Sequence, residues 1–176
     1  MTSGRWAAIA IVSGVLASGH ISHAQAPAQK PEPVLRDVLL EQWTEVGEKI
    51  VKMAEDFPAD KYDFRPTPEV RTFADVMRHV AFWNLYVQKT ARGEKIDAKQ
   101  NELSKAEYPD KAKIVAAVKQ TFADATAELK KAGATPSAKA ARLWVTFTEH
   151  SGEHYGQLVV YYRLNKLVPP ASRQGT

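Results

Sequence analysis

The chain has 176 residues, a quarter of them charged, with 24 Lys and Arg against 20 Asp and Glu and no cysteine. Its basic residues are scattered among acidic ones, so a pI near 9.2 marks a solvated surface rather than a nucleic-acid face. Without cysteine there is no disulfide, no thiolate ligand and no cysteine nucleophile, so any metal chemistry falls to His, Asp and Glu.

The first residues, MTSGRWAAIAIVSGVLASGHISHAQAPAQ, place Arg5 ahead of a short apolar run at 7–19, with small residues at Ser22 and Ala24. This is the pattern of a secretory signal peptide over 1–24, cleaved after Ala24, and it predicts a periplasmic or secreted protein. The run is short for a bilayer span, which disfavours an uncleaved anchor, and no later run is long enough. No membrane association is therefore expected once the leader is removed. Residues 25–33, QAPAQKPEP, read as a flexible lead-in. Residues 34–173 have the size of one domain.

Four segments with helical periodicity follow. In the first, about 33–57, Leu35, Leu39, Trp43, Val46, Ile50 and Met53 form one apolar stripe, and Pro58 stops it. A Pro-containing loop leads to Thr72, which with Asp75 resembles a capping box carrying Asp in place of the usual Glu. The second helix runs from Phe73 to about Ala91 with Phe73, Val76, Met77, Val80, Trp83 and Val87 on one side. The third opens near Pro109–Asp110, shows Ile114, Val118, Phe122, Ala125 and Leu129 as its stripe, and ends before Gly133. The fourth starts after Thr135–Pro136 and reaches about Lys166, with Leu143, Phe147, His150, His154, Leu158 and Tyr161 in step. No strand-type alternation of useful length appears. The expected fold is all-α, a four-helix bundle. The link at about 93–108 is long for a bundle loop, so it holds a short extra helix or a crossover connection.

Beyond the leader only three histidines remain, His79, His150 and His154. His150 and His154 are four apart, one turn along the same face of the fourth helix, and that face is the apolar stripe. His79 follows Val76 by three and precedes Trp83 by four, so it also points inward. One reading makes each a buried, hydrogen-bonded core histidine. The other is a shared metal site, because an ion satisfies three buried ring nitrogens at once. The string HSGEH also matches the H-x-x-E-H signature of inverted zinc proteases. That signature needs an acidic ligand downstream, and no Asp or Glu follows His154.

The stretch KYDFRPTPEVRTFADVMRHVAFWN, followed by TEHSGEHYGQLVVYYRLNKLVPPAS, resembles the DinB-like family of metal-binding four-helix bundles. The resemblance covers about 30–173. It implies a divalent metal, zinc, nickel or iron, bound by His79, His150 and His154, and a homodimer. Characterised members of that family include thiol-dependent transferases and isomerases, so it implies a metal-dependent transferase or hydrolase acting on a small molecule. One departure is the leader: the thiol-transferases act on cytosolic thiols, which weighs against that activity here. A non-enzymatic metal- or ligand-binding protein of the cell envelope is the competing function.

Around the proposed site, Trp83, Asn84 and Tyr86 are candidates for a substrate pocket, although such residues are often bundle packing. Glu153 points off the histidine face and is either a partner or base for the site or a solvated glutamate. Gln157 could orient an imidazole, and Arg65 could bind an anionic substrate or cap a helix end. Gly152 and Gly156 are costly inside a helix, which predicts a close helix approach or room beside a metal.

Overall fold

The computed structural model describes residues 32–173. The signal-peptide reading and most of the lead-in lie outside those residues. Helix α1 (Leu35–Asp56) buries Leu39, Trp43, Ile50, Met53 and Ala54. Leu35 falls in the first turn, beyond the packed part of the bundle, and remains 41% exposed. The helix stops where Phe57 turns extended ahead of Pro58, and the Phe57 ring stacks on Phe73 at 3.9 Å.

Helix α2 (Phe73–Ala91) begins with the expected box. The Asp75 N–H donates to Thr72 Oγ1 at 3.1 Å, and the Thr72 N–H donates to Asp75 Oδ2 at 3.3 Å. Such a cap contributes about 1 kcal/mol, and the shorter Asp reaches back as a Glu would. Helix α3 (Lys111–Lys130) starts at Asp110, whose carboxylate accepts from the Lys113 N–H, and α4 (Ala138–Leu164) starts at Ser137, whose hydroxyl accepts from the Ala140 N–H.

Side-chain contacts fix the helix directions. Lys111, at the start of α3, donates to the Glu55 and Phe57 carbonyls at the end of α1. Arg92 and Glu128 pair at 2.8 Å where α2 and α3 both end. The Tyr162 hydroxyl, near the end of α4, donates to the Met53 carbonyl near the end of α1. Helices α1 and α4 therefore run one way, and α2 and α3 the other. Helix α2 packs on α3 and α4, as does α1. The pairs α1/α2 and α3/α4 are diagonal.

Parallel α2 and α3 need a connection that returns the length of α2, about 28 Å at 1.5 Å per residue. Residues 92–110 make that crossover, and the expected short extra element is a 3-10 turn at Ala98–Gln100. The crossover is fastened to α2 twice near Arg78. The Leu103 N–H donates to the Arg78 carbonyl at 3.3 Å, and the buried Arg78 guanidinium donates to the Tyr108 carbonyl at 3.0 Å while also pairing with Asp75.

Two glycine expectations change. Gly152 and Gly156 lie on the outer face of α4, where an added Cβ would meet nothing within 4 Å. They neither admit a neighbouring helix nor make room beside the histidines. The close approach is at Gly47 instead, where a Cβ would stand 2.0 Å from Cε2 of Phe122 on α3. The buried face of α4 is also wider than its expected stripe, taking in Trp144, Ser151 and Tyr162, because this helix is flanked by both α1 and α2. No helix among the described residues is long and apolar enough to cross a membrane.

Candidate metal centre

His79 enters from α2, and His150 and His154 from α4, on the seam where these two helices pack. The i, i+4 spacing stacks the α4 pair one turn apart. The Nε2 atom of His150 lies 3.1 Å from that of His79 and 3.2 Å from that of His154. Nitrogens roughly 2.0–2.1 Å from one tetrahedral ion stand about 3.3 Å apart, so these two separations suit a shared ion, and the three ligand atoms all lie within 4.8 Å of one another.

The far side of two rings is tied down. His79 Nδ1 lies 2.6 Å from the Asn101 carbonyl, and His154 Nδ1 lies 2.9 Å from Gln157 Oε1. Both partners are oxygen acceptors, so each Nδ1 carries its proton and each Nε2 presents a lone pair. Gln157 is held in turn. Its Nε2 donates to the Tyr161 hydroxyl at 3.3 Å, and that hydroxyl donates to the Arg71 carbonyl. This fixes which end of the amide faces His154.

Burial keeps the cluster neutral. His79 is pushed down to about 4, chiefly by desolvation and then by the positive charge of Arg71. His150 is pushed down to about 3, by desolvation and then by the neighbouring His154 and His79. His154 is also lowered, by desolvation, against the opposing bond to Gln157. Neutral imidazole is the form that ligates a metal, so the site is in its binding state at neutral pH. No other His, Asp or Glu among the described residues joins the cluster. These three residues fit a divalent ion with coordination positions left over.

The other sequence candidates separate into two groups. Trp83 sits 6.0 Å from the His79 ring and 5.7 Å from the His150 ring, and its indole N–H donates to Asn101 Oδ1 at 3.3 Å. Phe147 stacks on Trp83 at 5.4 Å, and Tyr86 packs on both. Together they form an aromatic wall along one side of the cluster, and Gln157 is bonded directly to His154. Asn84 instead lines a small interior void with Trp43, Gly47, Phe122 and Ser151. Arg65 is exposed and donates to the Pro68 carbonyl, outside the cluster. Glu153 is exposed and reaches His154 only as a distant charge.

Sequence reasoning did not find Asn101, Arg71 or Phe147 as site residues. Asn101 lies in a loop with no periodicity to place it, and its contribution includes a backbone oxygen, which residue identity does not reveal. Phe147 was visible as a stripe residue one turn before His150, but a stripe does not distinguish a site wall from core.

A comparison with curated proteins returned no match. A match to the DinB superfamily spans residues 42–158, which includes all three histidines, the crossover and most of all four helices. Together with the four-helix architecture and the converging imidazoles, this places the chain in the DinB superfamily.

Proposed function

We propose that this protein is an exported metal-dependent enzyme, a transferase or hydrolase acting on a small molecule, in which His79, His150 and His154 hold one divalent ion, zinc, nickel or iron. The observation that carries this reading is the convergence of three Nε2 atoms, two of them with lone pairs directed by acceptors behind the rings. Closed structural sites use four protein ligands, whereas three ligands leave room for water or substrate. When bound, such an ion supplies Lewis acidity at that position. The chain's own residues orient the rings through Asn101 and Gln157 and supply an apolar wall of Trp83, Phe147 and Tyr86 against which a small molecule can lie. The export reading rests on the leader pattern of residues 1–24, and a homodimer rests on the family resemblance.

One observation favours the competing reading, a non-enzymatic metal- or ligand-binding protein of the cell envelope. Among the described residues no carboxylate joins the three rings, and Glu153 faces solvent.

The test is metal analysis of the purified mature protein, with His150→Ala as control. About one equivalent of a divalent metal in the wild type, lost in the variant, is the expected result. Absence of metal after reconstitution, with thermal stability unchanged by chelator, sinks both metal readings and leaves a structural histidine cluster. A scan of small electrophiles and esters on the loaded protein then separates enzyme from binder.

A further inference from the structure

The crossover between α2 and α3 reaches the histidine cluster through one residue. Asn101 has φ of 56°, in the left-handed region, immediately after the 3-10 turn at Ala98–Gln100. Asn is among the few residues that adopt this conformation at low cost, whereas a β-branched side chain there is strained. The conformation turns the Asn101 carbonyl onto His79 Nδ1 at 2.6 Å. The side chain of the same residue accepts from the Trp83 indole N–H at 3.3 Å. Trp83 is one turn beyond His79 on α2 and touches the His79 and His150 rings. One loop residue thus grips two successive turns of α2 at the site, by its backbone and by its side chain.

We propose that Asn101 is the positioning residue of this site: its left-handed backbone holds the Nδ1–H form of His79, so that Nε2 faces His150, while its amide oxygen fixes the Trp83 wall. It touches neither metal nor substrate and acts through His79 and Trp83. The inference deepens the metal reading and rests on it for its effect on affinity, but its effect on His79 exists without any metal.

Two substitutions separate backbone from side chain. Asn101→Gly keeps left-handed φ freely and deletes the contact to Trp83. Asn101→Val disfavours that φ and displaces the carbonyl. The first readout is the ring-nitrogen NMR signature of His79 in the metal-free protein. The wild type and Asn101→Gly should show the Nδ1–H tautomer, and Asn101→Val should show a tautomer mixture. The second readout is affinity for zinc or cobalt(II) by chelator competition. It should fall about 10–100-fold in Asn101→Val, the usual effect of losing a ligand's hydrogen-bond partner. Asn101→Gly should stay within about threefold of the wild type, with the loss of the indole bond seen as a shift in tryptophan emission.

Far-ultraviolet circular dichroism and the position of the remaining histidine signals check that Asn101→Val is folded. If it is not, Trp83→Phe together with Asn101→Gly carries the test, since both must keep the His79 tautomer. A wild-type His79 tautomer protonated at Nε2 overturns the proposal, as does an Asn101→Val protein with wild-type tautomer and affinity. Failure of the wild type to bind metal would sink the metal reading while leaving the tautomer result to decide the role of Asn101.

Discussion

Gly47 sits inside α1, where glycine costs a helix about 1 kcal/mol relative to alanine. Gly47→Ala would recover that amount if space were free. It is not, because the new Cβ would lie 2.0 Å from Phe122 Cε2 and 2.6 Å from both Cδ2 and Cζ. Carbon atoms rest at about 3.5–4.0 Å, so the ring must retreat by about 1.5 Å. The Phe122 ring packs against Trp43 at 6.0 Å. Trp43 has little freedom to follow, since its indole N–H donates to Thr126 Oγ1 at 3.0 Å and its ring meets Trp144 edge-on at 5.3 Å. Phe122 is only half buried, so part of its motion can be taken up on the solvent side. Overpacking of this kind costs about 1–3 kcal/mol; a 2.0 Å contact belongs in the upper part of that range, about 2–3 kcal/mol, and subtracting the helix gain leaves about 1–2 kcal/mol of net destabilisation. At about 2–4 °C per kcal/mol for a chain of this size, Tm should fall by roughly 2–8 °C. Thermal unfolding followed by circular dichroism measures this directly. The clash is isolated by repeating Gly47→Ala in a Phe122→Leu background, where the substitution should become neutral or stabilising, with a coupling above about 1 kcal/mol. A Gly47→Ala protein with a raised Tm, or one equally destabilised in both backgrounds, refutes the reasoning.

Metal-free protein should lose stability as pH falls through the histidine range. The folded-state values of His79 and His150 lie near 4 and 3, below the usual 6.5, so between about pH 6.5 and 4 the unfolded chain binds more protons and stability drops with acidification; urea midpoints at pH 7 and pH 5 check the sign, and the His150→Ala protein should show a shallower slope. Gln157→Leu removes the acceptor behind His154 and should weaken metal binding about 10–100-fold with little change in metal-free Tm, whereas Gln157→Glu keeps an acceptor and should retain most of the affinity; chelator competition reads both. Arg78→Ala removes a buried cation that ties Asp75 to the Tyr108 carbonyl and should cost about 3 kcal/mol by urea denaturation, with faster hydrogen exchange along 92–110.

Much of the architecture could be read before any coordinates, because helix spacing, caps and breakers are local. The Thr72–Asp75 box, the Asp110 start and the stop before Pro58 all lie where the sequence indicates. The inward direction of the three histidines followed from the same periodicity. Helix order was not legible. Which faces of α1 meet α3 rather than α2 depends on fits such as Gly47 against Phe122, and no periodicity encodes a pairing. The same limit hid the polar support of the site. Gln157 could be suspected from its three-residue offset from His154, but the further step to Tyr161 and the Arg71 carbonyl crosses 90 residues of chain. Asn101 meets His79 across 22 residues through a loop whose course only the packed bundle defines. Gly152 and Gly156 misled in the other direction, since a costly residue in a helix invites a local reason and the chain supplies none.

The return path from α2 to α3 has a consequence for when the site comes into being. His79 on α2 and His150 on α4 are 71 residues apart, and the bond from the Tyr161 hydroxyl to the Arg71 carbonyl ties the last helix to the segment just before α2. Among the described residues no segment ending before α4 contains a second imidazole, and a chain with α4 undocked holds His150 and His154 without the third nitrogen. Long-range closure of this kind slows folding and makes metal capture an all-or-none report on completed assembly. The stabilisation is global for the same reason. Metal at a hundred times its Kd adds about 2.7 kcal/mol to the native state as a whole, so a change in the crossover that destabilises the fold should weaken apparent binding although no ligand had been touched.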